Sequence, residues 1–383
     1  MNGRKGLSYS AILVLLAAAL GAAIVASVTL GRYPIGIREM LGIWGSRVLD
    51  IEPFWTKTQE SLLLNHRMPR ILLSCMVGGC LSAAGASYQG VFQNPMAAPD
   101  ILGASSGAAC GAALAIRLAL KVLGDRAIAV IPPNCMSTVA FIYPHMPLFT
   151  NGMIPPFAGT AAVMSGILAG AKAQGLEDYH VVGFAGDGGT ADIGLQALSG
   201  MIDRNDKAVF ICYDNEAYMN TGVQKSGLTP YGMKTTNTPS GSRIHGSQSS
   251  KKRMFEIVAA HGIPYAATAS LGYPEDYLAK VEKAMNTDGT SYIHVMAPCP
   301  TGWGTASDVT VDIGKEAVDC GLWYLAEFEN GKFTVNRDPK EFSSVEDYLK
   351  KQSRFANLDD HDLERIIAER DATWQRIRND WVK

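Results

Sequence analysis

Residues 180–222 read HVVGFAGDGGTADIGLQALSGMIDRNDKAVFICYDNEAYMNTG. His180 to Ala185 is a short apolar run rich in Val and Phe, as a buried strand should be. Gly186, Asp187 and Gly188 break it. Asp192 to Arg204 then carries Ile193, Leu195, Leu198, Met201 and Ile202 at helical spacing. A second apolar run, Ala208 to Tyr213, predicts a strand that delivers Asp214 and Asn215 to its C-terminal end. Strand, glycine turn, helix and strand make a βαβ unit, and α/β sheets bind ligands outside the C-terminal ends of their strands.

The chemistry suited to such a place is a diphosphate held through a metal. Mg²⁺ takes octahedral oxygen ligands, usually one or two carboxylates, carbonyl oxygens and the phosphates themselves. Asp187 can supply the carboxylate, Asn215 an amide oxygen and Ala217 its backbone carbonyl. Glycines on either side of Asp187 let the backbone approach the phosphates. A lone G-D-G is weak evidence. Here 26 residues separate Gly188 from Asn215, and that spacing resembles the thiamine diphosphate fingerprint. The expected cofactor-binding residues are Gly186, Asp187, Gly188, Gly189, Asn215, Ala217, Asn220 and Thr221, with Asp187, Asn215 and Ala217 holding Mg²⁺.

The 383 residues suffice for two domains. A net charge of −2 gives no pointer to nucleic acid. Charge is unevenly spread, because residues 1–110 hold only 13 of the 70 charged side chains. The first part therefore has to be read by itself. Ala11 to Leu30 is uncharged and about the ~20 residues a membrane span needs. A cleaved signal peptide is the competing reading, given Arg4 and Lys5, but the run is long for one and a second candidate follows. Ile71 to Phe92 is uncharged too, with small residues on one surface, as in packed membrane helices. A third, shorter stretch begins after Asp100. R-M-P-R-I-L-L (Arg67 to Leu73) and Y-Q-G-V-F-Q-N-P-M-A-A-P-D-I-L-G-A-S-S-G (Tyr88 to Gly107) resemble the permeases of iron–siderophore and vitamin B12 ABC importers. That resemblance ends near Ile116 and covers two or three of about ten spans, so residues 1–107 are expected to be a truncated permease-like segment.

Beyond Cys110 strands and helices alternate: strand Ala127 to Ile131, helix Gly159 to Gln174, the 180–222 module, helix Lys251 to His261, strand Tyr265 to Ala269, helix Pro274 to Met285 and strand Ser291 to Met296. This pattern predicts an α/β, doubly wound parallel sheet, preceded by two or three membrane-type α-helices. The region resembles the β subunit of 2-oxoacid:ferredoxin oxidoreductases of the pyruvate synthase type. G-D-G-G-T-A-D-I-G-L-Q-A-L-S-G (Gly186 to Gly200), Y-D-N-E-A-Y-M-N-T-G-V-Q (Tyr213 to Gln224), T-P-Y-G (Thr229 to Gly232) and A-P-C-P-T-G-W (Ala297 to Trp303) carry it. The expected oxidoreductase domain is 108–338, followed by a charged helical tail at 339–383.

The resemblance implies oxidative decarboxylation of a 2-oxoacid to an acyl-CoA, with Asn220 facing the reactive end of the cofactor. The resemblance also implies a [4Fe-4S] cluster on thiolates next to the cofactor; ferredoxin accepts one electron at a time, so some such acceptor is required. Of the family's four cluster cysteines, Cys110, Cys135 and Cys299 match three, and the fourth position is Gly107, which has no side chain to ligate iron. Implied partners are α- and γ-type subunits, ferredoxin, coenzyme A and the oxoacid. No glutamate here matches the one that activates the cofactor's aminopyrimidine ring; in the family the partner subunit supplies it. The catalytic part is expected in the cytoplasm, tethered to a membrane as a multi-pass protein if the N-terminal segment functions there. The alternative reading is a transport permease fragment.

The remaining residues read more plainly. Cys212 and Cys320 are expected in the core, and Cys75 and Cys80 have no role. His294 is expected to be structural. His245 and the basic run Lys251 to Arg253 read as a solvated helix start rather than the border of a site. The loop Pro144 to Phe157 departs from the pyruvate-type pattern, so the sequence does not identify the oxoacid.

Overall fold

The computed structural model describes residues 9–29, 33, 35–47, 49, 52–76, 78–79, 82, 110–140, 150–176, 178–241 and 243–381. The chain divides into two units, Met1–Pro99 and Asp100–Lys383.

In the first unit a helix covers Tyr9–Thr29, 21 residues without a charge, where the first span is expected. Counted over the described residues, no helix is long and apolar enough to cross a membrane. Shorter helices follow at Ile37–Gly45 and Lys57–Ser61, the latter opened by a Thr56–Gln59 capping box and running into a π-helical turn at Leu62–Arg67. Val28, Ile35, Met40, Ile43 and Leu63 form a small core. Arg67 donates to the carbonyls of Val28 and Tyr33, so this charge between the expected spans is spent on closing a turn. The second expected span is helical through residue 76 and at 78–79. Most of the rest of it, Cys80, the third stretch and all of Tyr88 to Gly107 lie outside the described residues.

The second unit is built on an eight-stranded sheet of order β2-β1-β3-β4-β6-β5-β7-β8. The strands are β1 Ala127–Val130, β2 Asn151–Met153, β3 His180–Gly186, β4 Val209–Asp214, β5 Tyr265–Ser270, β6 Ser291–Met296, β7 Ala326–Glu329 and β8 Lys332–Val335. The first six run parallel and the last two are an antiparallel extension. β4, β5 and β6 are buried at every position. A parallel sheet covered on both faces requires this, and it is why these strands read as unbroken apolar runs. One face packs on the helices Cys110–Leu123 and Pro274–Asn286; the other packs on Thr160–Ala173, Leu195–Asp203 and Met254–Ala259. The expected α/β sheet is present.

Two local expectations are corrected. The helix expected from Asp192 begins at Leu195, and Ile193 lies exposed in a turn. Gly194 packs so closely on the Gly189 carbonyl that a Cβ would sit 2.0 Å from it, which forces the turn. The helix expected from Lys251 begins at Met254, because Lys251 and Lys252 are drawn away to buried or half-buried carboxylates. The expected helical tail is present. Its helix Asp360–Asp380, capped by Asp359, buries Trp374 and Ile377 in the core of this same chain.

Candidate functional site

Four parallel strands bring the site together at their C-terminal ends. Register places Gly186 of β3 beside Tyr213 of β4, and Asp214 of β4 beside Met296 of β6. The residues after each strand therefore converge. β1 leads to Asn134 and Cys135, β3 to Asp187, β4 to Asn215 and Ala217, and β6 to Cys299. Sequence separation between them exceeds 160 residues, yet the sheet makes them neighbours.

One cleft is lined by Gly186, Asp187, Gly188, Gly189, Asn215, Ala217, Asn220 and Thr221, so all eight expected cofactor residues share it. Cys135, Phe157, Tyr213 and Tyr218 complete its wall. It encloses about 40 Å³, roughly the space of an ion and one water rather than of a whole cofactor. Its mouth is at Asn220 and Thr221, both exposed.

Three polar groups meet inside. One terminal atom of the Asn215 side-chain amide lies 2.9 Å from the Ala217 carbonyl oxygen and 3.2 Å from Oδ1 of Asp187, and with the amide nitrogen there it donates to both. With the amide turned over, its oxygen joins the carboxylate and the carbonyl as a set of three oxygen donors. Adjacent ligands of an octahedron with Mg–O of about 2.0–2.1 Å stand about 2.9 Å apart, so that set fits Mg²⁺ in size and chemistry.

Asp187 is 2 % exposed. Burial first, and then the Asp214 carboxylate, push its pKa well above the usual carboxylate value, against the Ser226 hydroxyl, the Lys251 ammonium and the Gly188 N–H. Ser226 donates to its second oxygen. Asp214 is fully buried and behaves oppositely. Burial would raise it, but Lys251 at 2.9 Å and His294 Nε2 at 3.0 Å hold it down at about 2. His294 thus has a definite partner, and the structural role expected for it stands.

Gly188 is required by close approach. A Cβ there would lie 2.2 Å from the Tyr218 ring, whose hydroxyl donates to Asp192 at 3.0 Å. That bond ties the loop carrying Asn220 and Thr221 to the turn after β3, and Lys252 pairs with the same carboxylate at 2.6 Å.

The cysteines approach from three segments. Cys135 opens the helix Cys135–Ala140, whose first turn Asn134 caps by accepting from the Ser137 N–H at 2.9 Å. Cys299 precedes the short helix Pro300–Trp303 and accepts from the Gly302 N–H at 3.4 Å. Cys110 begins Cys110–Leu123, where a Cβ on Gly111 would sit 2.4 Å from the Pro298 carbonyl, so this helix end abuts the Cys299 segment. Burial raises the Cys135 thiol to about 12, with Cys299 and Asp187 adding to it. Burial also raises Cys299, with Cys110 adding and Gly302 and Arg354 opposing. Thiols in this state give up their protons only to a strongly competing cation such as iron. Gly107 lies outside the described residues. Cys212 and Cys320 are buried, as expected, and Cys75 is exposed.

Several residues were not anticipated: Phe157, Tyr218, Ser226, Glu216, Arg354, Trp303 and above all Lys251. The expectation of a solvated start at Lys251 is overturned. Its ammonium sits 2.9 Å from Asp214 and 2.7 Å from Glu216 and lies over the Trp323 ring. Burial works against that charge, and the two carboxylates outweigh it and raise its pKa. A Lys-Lys-Arg run looks solvated in sequence, and only the two carboxylates ending β4 could have signalled otherwise. His245 hydrogen-bonds Asp362 at 2.6 Å, fastening the C-terminal helix rather than bordering the cleft.

Comparison with known proteins finds matches to two families. The FecCD transport family matches residues 16–201. The thiamine pyrophosphate enzyme, C-terminal TPP binding domain family matches residues 134–295. The first match runs past Ile116, where the residue-by-residue resemblance ends, and overlaps the second. Among curated relatives, the pyruvate synthase subunit PorB of Methanothermobacter thermautotrophicus is 48 % identical over 271 residues, 71 % of this chain and 94 % of that one. The ketoisovalerate oxidoreductase subunit VorB of Pyrococcus horikoshii is 48 % identical over 276 residues, 70 % of this chain and 89 % of that one. The PorB subunit of Thermotoga maritima is 42 % identical over 283 residues, 70 % and 87 % respectively.

Proposed function

The chain belongs to the family of 2-oxoacid:ferredoxin oxidoreductase β subunits, and on that premise we propose that its cleft holds the diphosphate end of thiamine diphosphate through Mg²⁺. Asp187, Asn215 and the Ala217 carbonyl are the protein ligands in this reading. The convergence of the Asn215 amide, the Ala217 carbonyl and the Asp187 carboxylate, at 2.9 and 3.2 Å, is the observation that carries it. Gly186, Gly188 and Gly189 leave the backbone open to phosphate oxygens, and Asn220 and Thr221 at the mouth face the remainder of the cofactor.

When bound, thiamine diphosphate supplies an electron sink for the carbon that loses CO₂. This chain's part is to bind and orient it. Asp187 would neutralise the metal's charge, Tyr218 and Phe157 wall the cleft, and Asn220 would hydrogen-bond at the reactive end. The glutamate that activates the aminopyrimidine ring is proposed to come from a partner subunit, as the family resemblance implies.

Cys110, Cys135 and Cys299 are proposed ligands of a [4Fe-4S] cluster next to the cleft, with Gly107 where a fourth cysteine is expected. The cluster gives electrons a route to ferredoxin. α- and γ-type subunits, coenzyme A and a pyruvate-type oxoacid complete the proposed reaction. The names of the relatives cover both pyruvate and ketoisovalerate enzymes, so both oxoacids belong in the assay. The N-terminal unit is proposed to associate with a membrane on the permease-family match alone, since no described helix is long and apolar enough to cross one.

The test is to co-express the chain with α- and γ-type subunits and follow oxoacid-dependent ferredoxin reduction with added thiamine diphosphate and Mg²⁺. Asp187→Ala is expected to lower the rate by about 100-fold or more, as loss of a metal ligand does. Unchanged activity in that variant overturns the metal assignment.

A further inference from the structure

Glu216 lies between the two proposed ligands Asn215 and Ala217, and its backbone is left-handed, with φ of 71°. A residue with a Cβ occupies that region at a cost, so something must hold it there. Every polar group of Glu216 is engaged. Its N–H donates to Asp214 Oδ1 at 2.9 Å, and its carbonyl accepts from the Thr229 hydroxyl at 2.7 Å. Its carboxylate takes Lys251 on one oxygen at 2.7 Å and Arg354 on the other at 2.6 Å.

Arg354 is itself fixed. It is 4 % exposed, lies over the Trp303 ring at 3.6 Å, donates to Gln352 Oε1 at 2.9 Å, and its carbonyl accepts from the Lys234 N–H at 3.0 Å. Trp303 in turn donates to the Asn215 carbonyl at 2.8 Å. The guanidinium therefore braces residue 216 through its carboxylate and residue 215 through the indole. None of these groups lines the cleft.

We propose that Arg354 is a positioning residue: by anchoring Glu216 it maintains the left-handed turn that aims the Asn215 amide oxygen and the Ala217 carbonyl at one cation. The proposal rests on the reading of Asp187, Asn215 and Ala217 as metal ligands. It also assigns a role to the C-terminal segment, which reaches the metal site through a residue 137 positions beyond Ala217.

The probe is Mn²⁺, titrated by EPR into the full chain in detergent, with near-UV circular dichroism monitoring packing. Arg354→Met is expected to weaken Mn²⁺ binding by about 10- to 100-fold, the usual effect of removing a residue that orients a metal ligand. A purely structural ion pair predicts lower stability with unchanged affinity. Glycine adopts positive φ freely, so Glu216→Gly combined with Arg354→Met is expected to return the affinity to within about threefold of wild type, with no buried carboxylate left unpaired. That double variant also tests the proposal should Arg354→Met alone fail to fold. Wild-type affinity in Arg354→Met, or a double variant that binds as weakly as a tenfold loss, overturns the role of Arg354. Equal binding by wild type and Asp187→Ala overturns the metal reading instead, so the two failures are distinguishable.

Discussion

The indole nitrogen of Trp303 donates to the backbone carbonyl of Asn215 at 2.8 Å, joining the segment that carries Cys299 to the segment that carries a proposed metal ligand. Both groups are buried. Replacing Trp303 by Phe keeps an aromatic ring under Arg354 but leaves that carbonyl without its donor. A buried acceptor stripped of its partner costs about 1–3 kcal/mol. Urea unfolding is expected to show a loss in this range, and Mn²⁺ binding is expected to weaken with it.

Asp187 and its metal make a prediction with a definite sign. Folding raises this carboxyl's pKa, so the stability linked to it is full below the unfolded value of 3.8 and is lost as pH rises through the higher folded value. Asp187→Asn removes the buried charge, and without metal it is expected to melt at or above the wild-type temperature at pH 8. Mg²⁺ must displace the proton of Asp187. Its affinity for wild type is therefore expected to rise with pH, by about tenfold per unit while the carboxyl is protonated in the metal-free form. Calorimetric titration over the pH range in which the chain stays folded reads the slope, and an affinity that falls as pH rises contradicts the assignment.

Asp214 gives the opposite pH dependence. Its folded pKa is held at about 2, below the unfolded 3.8, chiefly by Lys251 and His294 against the pull of burial. Its contribution is present above the unfolded value and disappears as pH falls through about 2. At about 1.4 kcal/mol per unit this amounts to roughly 2 kcal/mol. Acid unfolding monitored by circular dichroism is expected to steepen between pH 4 and 2, and Asp214→Asn is expected to flatten that limb while lowering stability at pH 7.

Gly107→Cys restores a thiol at the expected fourth cluster position. After anaerobic reconstitution the variant is expected to hold more iron per chain than wild type and to give a stronger reduced-cluster EPR signal. Cys135→Ser is expected to lower both. Equal iron in wild type and Gly107→Cys contradicts the ligand assignment.

The 180–222 stretch by itself determined the βαβ unit, a cleft at its strand ends and eight of the residues that line it. Period-2 and period-3.6 patterns and a glycine turn are local properties, legible over ten or twenty residues. The same holds for the uncharged helix at Tyr9–Thr29 and the change of character near Cys110. Tertiary structure alone decided that Lys251 is a buried counter-ion and not a solvated helix start. The carboxylates that capture it lie at positions 214 and 216, and a lysine's local sequence carries no record of which charges the fold sets against it. It also decided that Ile193 is exposed, that the tail helix packs into the core, and that Arg354 reaches Glu216. Each of these depends on what the sheet brings within 3 Å across a hundred residues or more, or on how closely two backbones approach. The fingerprint thus names the ligands of the site, and the fold supplies the charges that hold them in place.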